Sequence, residues 1–252
     1  MKQRVVMLNG RFDPLTHGET VAAVFHALDS GVRGWLCTVN VATLMTMRKD
    51  RKLQAFVDRA MLVVADGQPL VWCAGLFGGR LPERVAGIDL IDSLCRRAAS
   101  EGKGVYLLGA AERVLSKTLA RLRSRHPGLR IDGSDGYFSA DASKSRVDEI
   151  RASGASLLLV GMGSPRQERF IDDHWELLGV GMAIGVGGSF DVIAGERFRA
   201  PRWVGRVGME WLVRLLQEPR RLMPRYLITN LMFCLLIADA VVGQFKRWVT
   251  PS

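Results

Sequence analysis

The apolar positions along this chain fall into two alternating rhythms. Short runs of branched and aliphatic residues recur at 5–8, 35–39, 62–64, 105–108, 157–160 and 182–186, with the length of buried strands. Between most of them lie stretches with helical spacing, at 20–28, 88–99, 113–123, 144–152 and 167–178. Strand and helix in alternation require crossover connections. The pattern therefore predicts an α/β fold, a Rossmann-like and largely parallel sheet with helices on both faces. Gly109, Gly161 with Gly163, and Gly185 with Gly187 and Gly188 follow three of the strands. Ligands of open α/β sheets bind beyond the carboxyl ends of the strands, where such turns lie, although glycine is also an ordinary turn residue. Gly161-Met162-Gly163 is not a dinucleotide fingerprint, because Arg166 stands where the third glycine belongs, and no P-loop motif occurs.

From about Phe198 the sequence becomes Arg-rich and helical, broken by Pro201, Pro219 and Pro224, and then runs into an apolar stretch at 226–243. Asn230 and Asp239 interrupt that stretch. Arg220, Arg221 and Arg225 flank it on one side, and Lys246, Arg247 and Trp248 on the other. The expectation is a helix lying at a membrane surface, with a buried core helix and a full span as alternatives. The predicted organisation is an α/β domain over 1–196 and a basic, membrane-associating helical appendage over 197–252.

Composition narrows the class. At 48% hydrophobic and 24% charged residues over 252 positions, the chain is neither disordered nor collagen-like. Four cysteines and four histidines are scattered, with no Cys-x-x-Cys. This argues against a disulfide framework or a structural zinc and for reduced thiols in the cytoplasm. The apolar run at 5–8 is too short for the core of a signal peptide and reads as a strand. The net charge of +10 is concentrated: from Arg197 onward ten basic residues face three acids, which leaves +7 there. An anionic partner is expected at that end, whether phosphate, lipid or nucleic acid.

Four stretches carry polar residues that a scaffold does not need. They are Thr38-Val-Asn40; Asp66-Gly-Gln-Pro69 with Glu83-Arg84 and Asp89; Asp135-Gly-Tyr137-Phe138; and Gly161-Met-Gly-Ser-Pro-Arg-Gln167-Glu168 with Gly187-Gly-Ser-Phe-Asp191 and Arg199-Ala-Pro-Arg-Trp203. Each has a plain structural reading. Asp66 and Asp135 sit in Asp-Gly turns, Arg84 could pair with Glu83 or Asp89, and Ser164-Pro165 could cap a helix.

Taken together, the ordered blocks VNVATL, ADGQPLVW, ERVAGIDL, YLLGA, HPGLRIDGSDGYF, LLLVGMGSPRQERFI, AIGVGGSFDVIAGERFRAPRW and GMEWLVRLLQEPRR closely resemble the WecG/TagA/CpsF glycosyltransferase family. The likeness runs from about Val5 to Tyr226. It implies an inverting, metal-independent transfer of a sugar from a UDP-sugar to a polyprenyl-diphosphate-linked saccharide, with no cofactor. The implied setting is cell-envelope or exopolysaccharide synthesis, peripheral to the cytoplasmic face of the inner membrane. Asp66 is then the catalytic base. Thr38 and Asn40 line the sugar pocket, Arg84 serves the leaving group, and Gln167 and Glu168 lie beside the sugar. Tyr137 and Asp191 address the uridine, and the turns at Gly109 and Gly161 the nucleotide. Arg199, Arg214, Arg220, Arg221 and Arg225 are candidates for the diphosphate.

No Asp-x-Asp pair occurs among the fifteen aspartates. The usual handle for a diphosphate-bound metal is therefore missing, and arginine forks suit the phosphate oxygens instead. Glucuronic acid, as in a GumM-like branch, is the first expectation for the donor sugar. N-acetylmannosaminuronic acid and N-acetylmannosamine follow, with Arg48, Lys49 or Arg166 as the cation for a uronate. A nucleic-acid-binding protein and an inert membrane adaptor are the competing classes. Basic residues beside an apolar helix favour lipid over a duplex.

Overall fold

The computed structural model of the protein describes residues 3–139 and 141–249, the side chains of residues 202, 206, 221 and 244–249 left aside. In chain order the first half contains β1 (Val5–Met7), β2 (Gly10–Phe12), α1 (His17–Asp29), β3 (Gly34–Val39), α2 (Val41–Met47), α3 (Arg51–Asp58), β4 (Leu62–Ala65), α4 (Gln68–Cys73), α5 (Gly87–Ser100) and β5 (Val105–Gly109). There follow α6 (Glu112–Arg125), β6 (Ile131–Ser134), α7 (Ser143–Ala152), β7 (Leu157–Gly161), α8 (Arg166–Leu178), β8 (Met182–Gly185), α9 (Ser189–Ile193), α10 (Arg202–Arg206), α11 (Glu210–Gln217) and α12 (Pro219–Val249).

Six strands form one sheet in the order β4-β3-β8-β7-β5-β6, and every pairing in it is parallel. Successive strand residues enter opposite cores, as the pleat requires. Trp35, Cys37 and Val39 of β3 join one core with Leu44 and Met45 of α2, Phe56 of α3 and Phe170 of α8. Leu36 joins the other with Phe25 of α1, Leu90 of α5, Leu115 of α6 and Phe190 of α9. The sheet is thus covered on both faces, as expected of an α/β fold. β3 and β8 are neighbours, yet α2 leaves β3 on one face and α9 leaves β8 on the other. The covering helices diverge there, and a crevice opens beyond the carboxyl ends of the two strands.

Three sequence expectations need correction. The run at 5–8 is not a strand of the main sheet. It pairs antiparallel with β2 in a separate hairpin, which is pinned to the edge strand β4. The Asp13 amide donates to the Val63 carbonyl at 2.7 Å, the Asp13 carboxylate accepts from the Val63 amide at 2.8 Å, and Arg4 donates to the Ala60 and Met61 carbonyls. The hairpin so shields an edge that would otherwise present unpaired backbone. Ser164 does not cap α8, whose cap position is Pro165 with no side-chain hydrogen bond. Pro224 does not break the terminal helix. It is the sixth residue of α12 and forfeits one backbone bond near the start of a helix of 31 residues.

The same helix excludes the buried-core alternative for the run at 226–243. Its apolar stretch, Leu222–Gly243, has mean hydropathy 1.9 but is only 11% buried. Leu222, Thr229 and Phe233 are buried at helical spacing, with Met232, Leu236 and Ile237 packed on the first core. Met223, Leu227, Ile228, Leu231 and Leu235 remain exposed. A surface helix of a soluble domain carries polar residues on its outer face. This one is apolar there too, and by length and composition it could cross a bilayer.

Candidate active site

The crevice at the β3–β8 boundary is continued by α11 and α12 into a cleft of two lobes. The first is polar, about 380 Å³, and lies over the turns after β7 and β8, between Thr38, Glu168, Gly187, Arg199 and Arg225. The second is largely apolar, about 260 Å³, and runs from the start of α2 and Gly67–Pro69 to Trp211, Tyr226, Asn230 and Phe233. Six residues line both: Asn40, Ala42, Asp66, Glu210, Arg214 and Tyr226.

Asn40 follows β3 and caps α2, its amide oxygen accepting from the Thr43 amide at 3.0 Å and the Thr43 hydroxyl at 3.2 Å. The cap both starts the helix and holds Asn40 at the junction. Asp66 follows β4 and is anchored through its own amide to the Val39 carbonyl at 2.8 Å. Burial pushes the Asp66 carboxyl up to about 6 against the pull of the Arg214 and Arg84 guanidiniums, with Glu210 adding to the rise. A carboxyl in that range can take a proton near neutral pH.

Arg84 does not pair with Glu83 or Asp89 on the surface. It donates to Glu210, which also accepts from Arg214 at 2.8 Å. Burial works against the Glu210 carboxylate, but Arg214 and Arg84 overcome it and hold its pKa below the usual range. Gly205 lies so close to Arg84 that a Cβ there would stand 3.0 Å from the guanidinium, and one on Gly208 would stand 3.2 Å from the Trp72 ring. The glycines around α10 thus let the C-terminal segment approach the α/β layer closely enough for α11 to reach Asp66.

In the polar lobe, the Thr38 hydroxyl donates to the Gly185 carbonyl at 3.3 Å, tying β3 to β8. Gln167 accepts from the Gly187 amide at 3.0 Å and donates to Glu168 at 2.9 Å. It thereby shapes the turn after β8. Glu168 is buried, and that burial raises its carboxyl above the usual range. Arg166, Arg197, Arg199 and Arg225 line this lobe. Arg199 makes a forked contact with Asp89 at 2.6 and 2.8 Å, and Arg197 pairs with Glu218.

Tyr137, Asp191, Gly109 and Gly161 lie outside the cleft lining. Tyr137 is 74% exposed, beyond an Asx turn in which its amide donates to Asp135 at 2.8 Å. Asp191 sits at the start of α9, 3.8 Å from Arg197. Gly109 has φ +144°, and a Cβ on it would come within 2.5 Å of the Gly161 carbonyl carbon; one on Gly161 would meet the Phe190 ring at 2.6 Å. Both glycines are required by close packing where β5 and β7 end. Arg221 lies on α12, its side chain outside the described positions. Arg48 and Lys49 do not line either lobe, and Arg220 does not either. The sequence reading missed Glu210, Trp211, Tyr226 and Asn230 as cleft residues. The available signal was Glu210 and Arg214 at i, i+4 on a strongly amphipathic segment.

Compared with known families, residues 5–247 match the model of the glycosyl transferase WecG/TagA/CpsF family.

Proposed function

The chain belongs to this glycosyltransferase family of cell-surface polysaccharide synthesis, and on that premise we propose that it carries a sugar from a UDP-sugar to a polyprenyl-diphosphate-linked saccharide, with inversion and without a metal. Residues 1–196 hold the sugar and nucleoside of the donor, and residues 197–252 complete the site with arginines for its phosphates and meet the cytoplasmic face of the membrane. The observation that carries this reading is the place of Asp66, at the junction of a polar, arginine-lined lobe and an apolar lobe walled by α12.

The polar lobe suits a nucleoside diphosphate sugar. Its glycine turns admit close backbone approach, and Arg166, Arg199, Arg214 and Arg225 supply cations for the phosphates. The apolar lobe suits the lipid-proximal end of the acceptor. Asp66 takes the proton from the acceptor hydroxyl as its oxygen bonds to the anomeric carbon. The bond from that carbon to the diphosphate oxygen breaks, and its electron pair leaves with UDP. An α-linked donor thus gives a β-linked product. Arg84 and Arg214, which line the apolar lobe with Asp66, offset the charge that builds on the leaving group. Thr38 and Asn40 line the pocket for the sugar.

A uronic acid, glucuronic acid first, remains our reading of the donor. Of the three cations considered for its carboxylate, Arg166 alone lines the polar lobe. No nucleic acid enters this scheme, because the basic surplus of the C-terminal segment flanks a helix apolar enough for lipid. The test is transfer by full-length protein from a panel of UDP-sugars to a short-chain polyprenyl-diphosphate disaccharide in excess EDTA, with Asp66→Asn alongside. Transfer that survives EDTA and fails in the variant supports the scheme. An EDTA-sensitive reaction, or an active Asp66→Asn, overturns it.

A further inference from the structure

Two guanidiniums beside a single half-buried carboxylate would hold that carboxylate ionised and make it a poor proton acceptor. The cleft avoids this by setting a second carboxylate between them. Glu210 bridges Arg84, from the loop ahead of α5, and Arg214, one turn along α11. The side chains of Arg84 and Glu210 are only 17% and 21% exposed, so solvent screens the pair little. The bridge also spans the two parts of the chain, since Arg84 and Glu210 are 126 positions apart.

We propose that Glu210 is a positioning residue: it clamps Arg84 to Arg214 when the C-terminal segment docks, and its charge leaves Asp66 free to act as the base. The proposal rests on Asp66 being that base. Asp66, Glu210, Arg84 and Arg214 together carry no net charge when all are ionised. Without Glu210 the cluster carries one positive charge, and both arginines can turn onto Asp66. The other groups facing the cluster do not replace it. Tyr226 of α12 and Asp89 of α5 act on Arg214 and Arg84 respectively, and Asp89 is already engaged by Arg199.

Glu210→Gln keeps the shape and removes the charge. The acid limb of its kcat/KM profile is expected to move down by about one pH unit, with a plateau about tenfold lower or less. Glu210→Asp keeps the charge with a shorter reach. It is expected to lose rate while its acid limb stays near that of the wild type. Carbon NMR titration of labelled aspartate in the full-length protein, with the Asp66 signal assigned through Asp66→Asn, reads the same shift without any turnover. If wild type transfers no sugar, the functional reading fails, while the NMR shift still decides the electrostatic role. An unmoved Asp66 titration in Glu210→Gln overturns the proposal, whatever the rate. So does a Glu210→Asp variant whose Asp66 titration moves as far as that of Glu210→Gln.

Discussion

Asp66 is held in a setting that penalises its own charge, and the penalty should be measurable as stability. Its carboxyl rises from an ordinary 3.8 to about 6, chiefly through burial. Below pH 4 the group is protonated in folded and unfolded chains alike, and ionisation costs neither. Above pH 6 the unfolded chain ionises freely while the folded one does so against burial. A raised folded pKa therefore contributes stability that is lost as the pH climbs from about 4 through 6. A shift of about two units corresponds to about 3 kcal/mol. Asp66→Asn is nearly isosteric and carries no charge to bury, so it should recover up to this amount at pH 7.5. For a chain of this size that is about 6–12 °C in Tm. The assay is thermal and denaturant unfolding of full-length wild type and variant in the same detergent, from pH 4 to 8. The variant should be more stable at pH 7.5, and the two curves should converge toward pH 4. A variant equally stable or weaker at pH 7.5, or a gain that does not change with pH, would refute the claim that burial governs this carboxyl.

The same raised value sets the wild-type pH profile: kcat/KM should fall about tenfold per unit below pH 6, and a profile flat down to pH 4.5 would remove Asp66 as the base. Gly109→Ala should cost at least about 3 kcal/mol, read by urea unfolding, because the new Cβ meets the Gly161 backbone at 2.5 Å with φ at +144°; a loss under 1 kcal/mol would mean that β5 and β7 part easily. Leu231→Glu combined with Leu235→Glu alters side chains that are 59% and 63% exposed. It should abolish flotation with vesicles containing anionic lipid while UDP binding persists, and undiminished flotation would rule out this face as the lipid contact.

How far the sequence spoke depended on the range of the interactions involved. Strands β3, β4, β5, β7 and β8 are buried on both faces and therefore read as unbroken apolar runs. β6, with Asp132 exposed at the sheet edge, carries too few apolar residues to read so. α2 escaped notice because nearly all of it is buried, which erases the polar half of a helical pattern. Thr38, Asn40 and Asp66 were legible because each directly follows, or ends, an apolar strand at the rim where ligands bind. The partner of Arg84 was not. Local spacing pointed to Glu83 or Asp89, and the true partner comes from a helix 126 positions further along the chain. Gly109 and Gly161 mark the opposite limit. A glycine required by a neighbouring backbone and one required by a ligand leave the same letter in the sequence, and only the crowding distances tell them apart.

The terminal helix joins these threads. A helix apolar on every side is ordinarily buried or lipid-exposed, and α12 divides those roles between its faces. Tyr226, Asn230 and Phe233 wall the apolar lobe, while Leu227, Ile228, Leu231 and Leu235 face outward. The polar interruptions in the run separate accordingly, with Asn230 at the lobe and Asp239 exposed further along. A helix with its side chains is about 10–12 Å across. A helix whose outer face meets lipid would therefore hold the lobe on its inner face within about that distance of the bilayer. In the scheme proposed here, the acceptor need not leave the membrane to be glycosylated. Its saccharide has only to cross the thickness of α12 to reach Asp66, and the cations that meet the donor phosphates arrive on the same segment that anchors the enzyme. Membrane contact and completion of the cleft then depend on one docking event, with the Arg84–Glu210 bridge at its inner end.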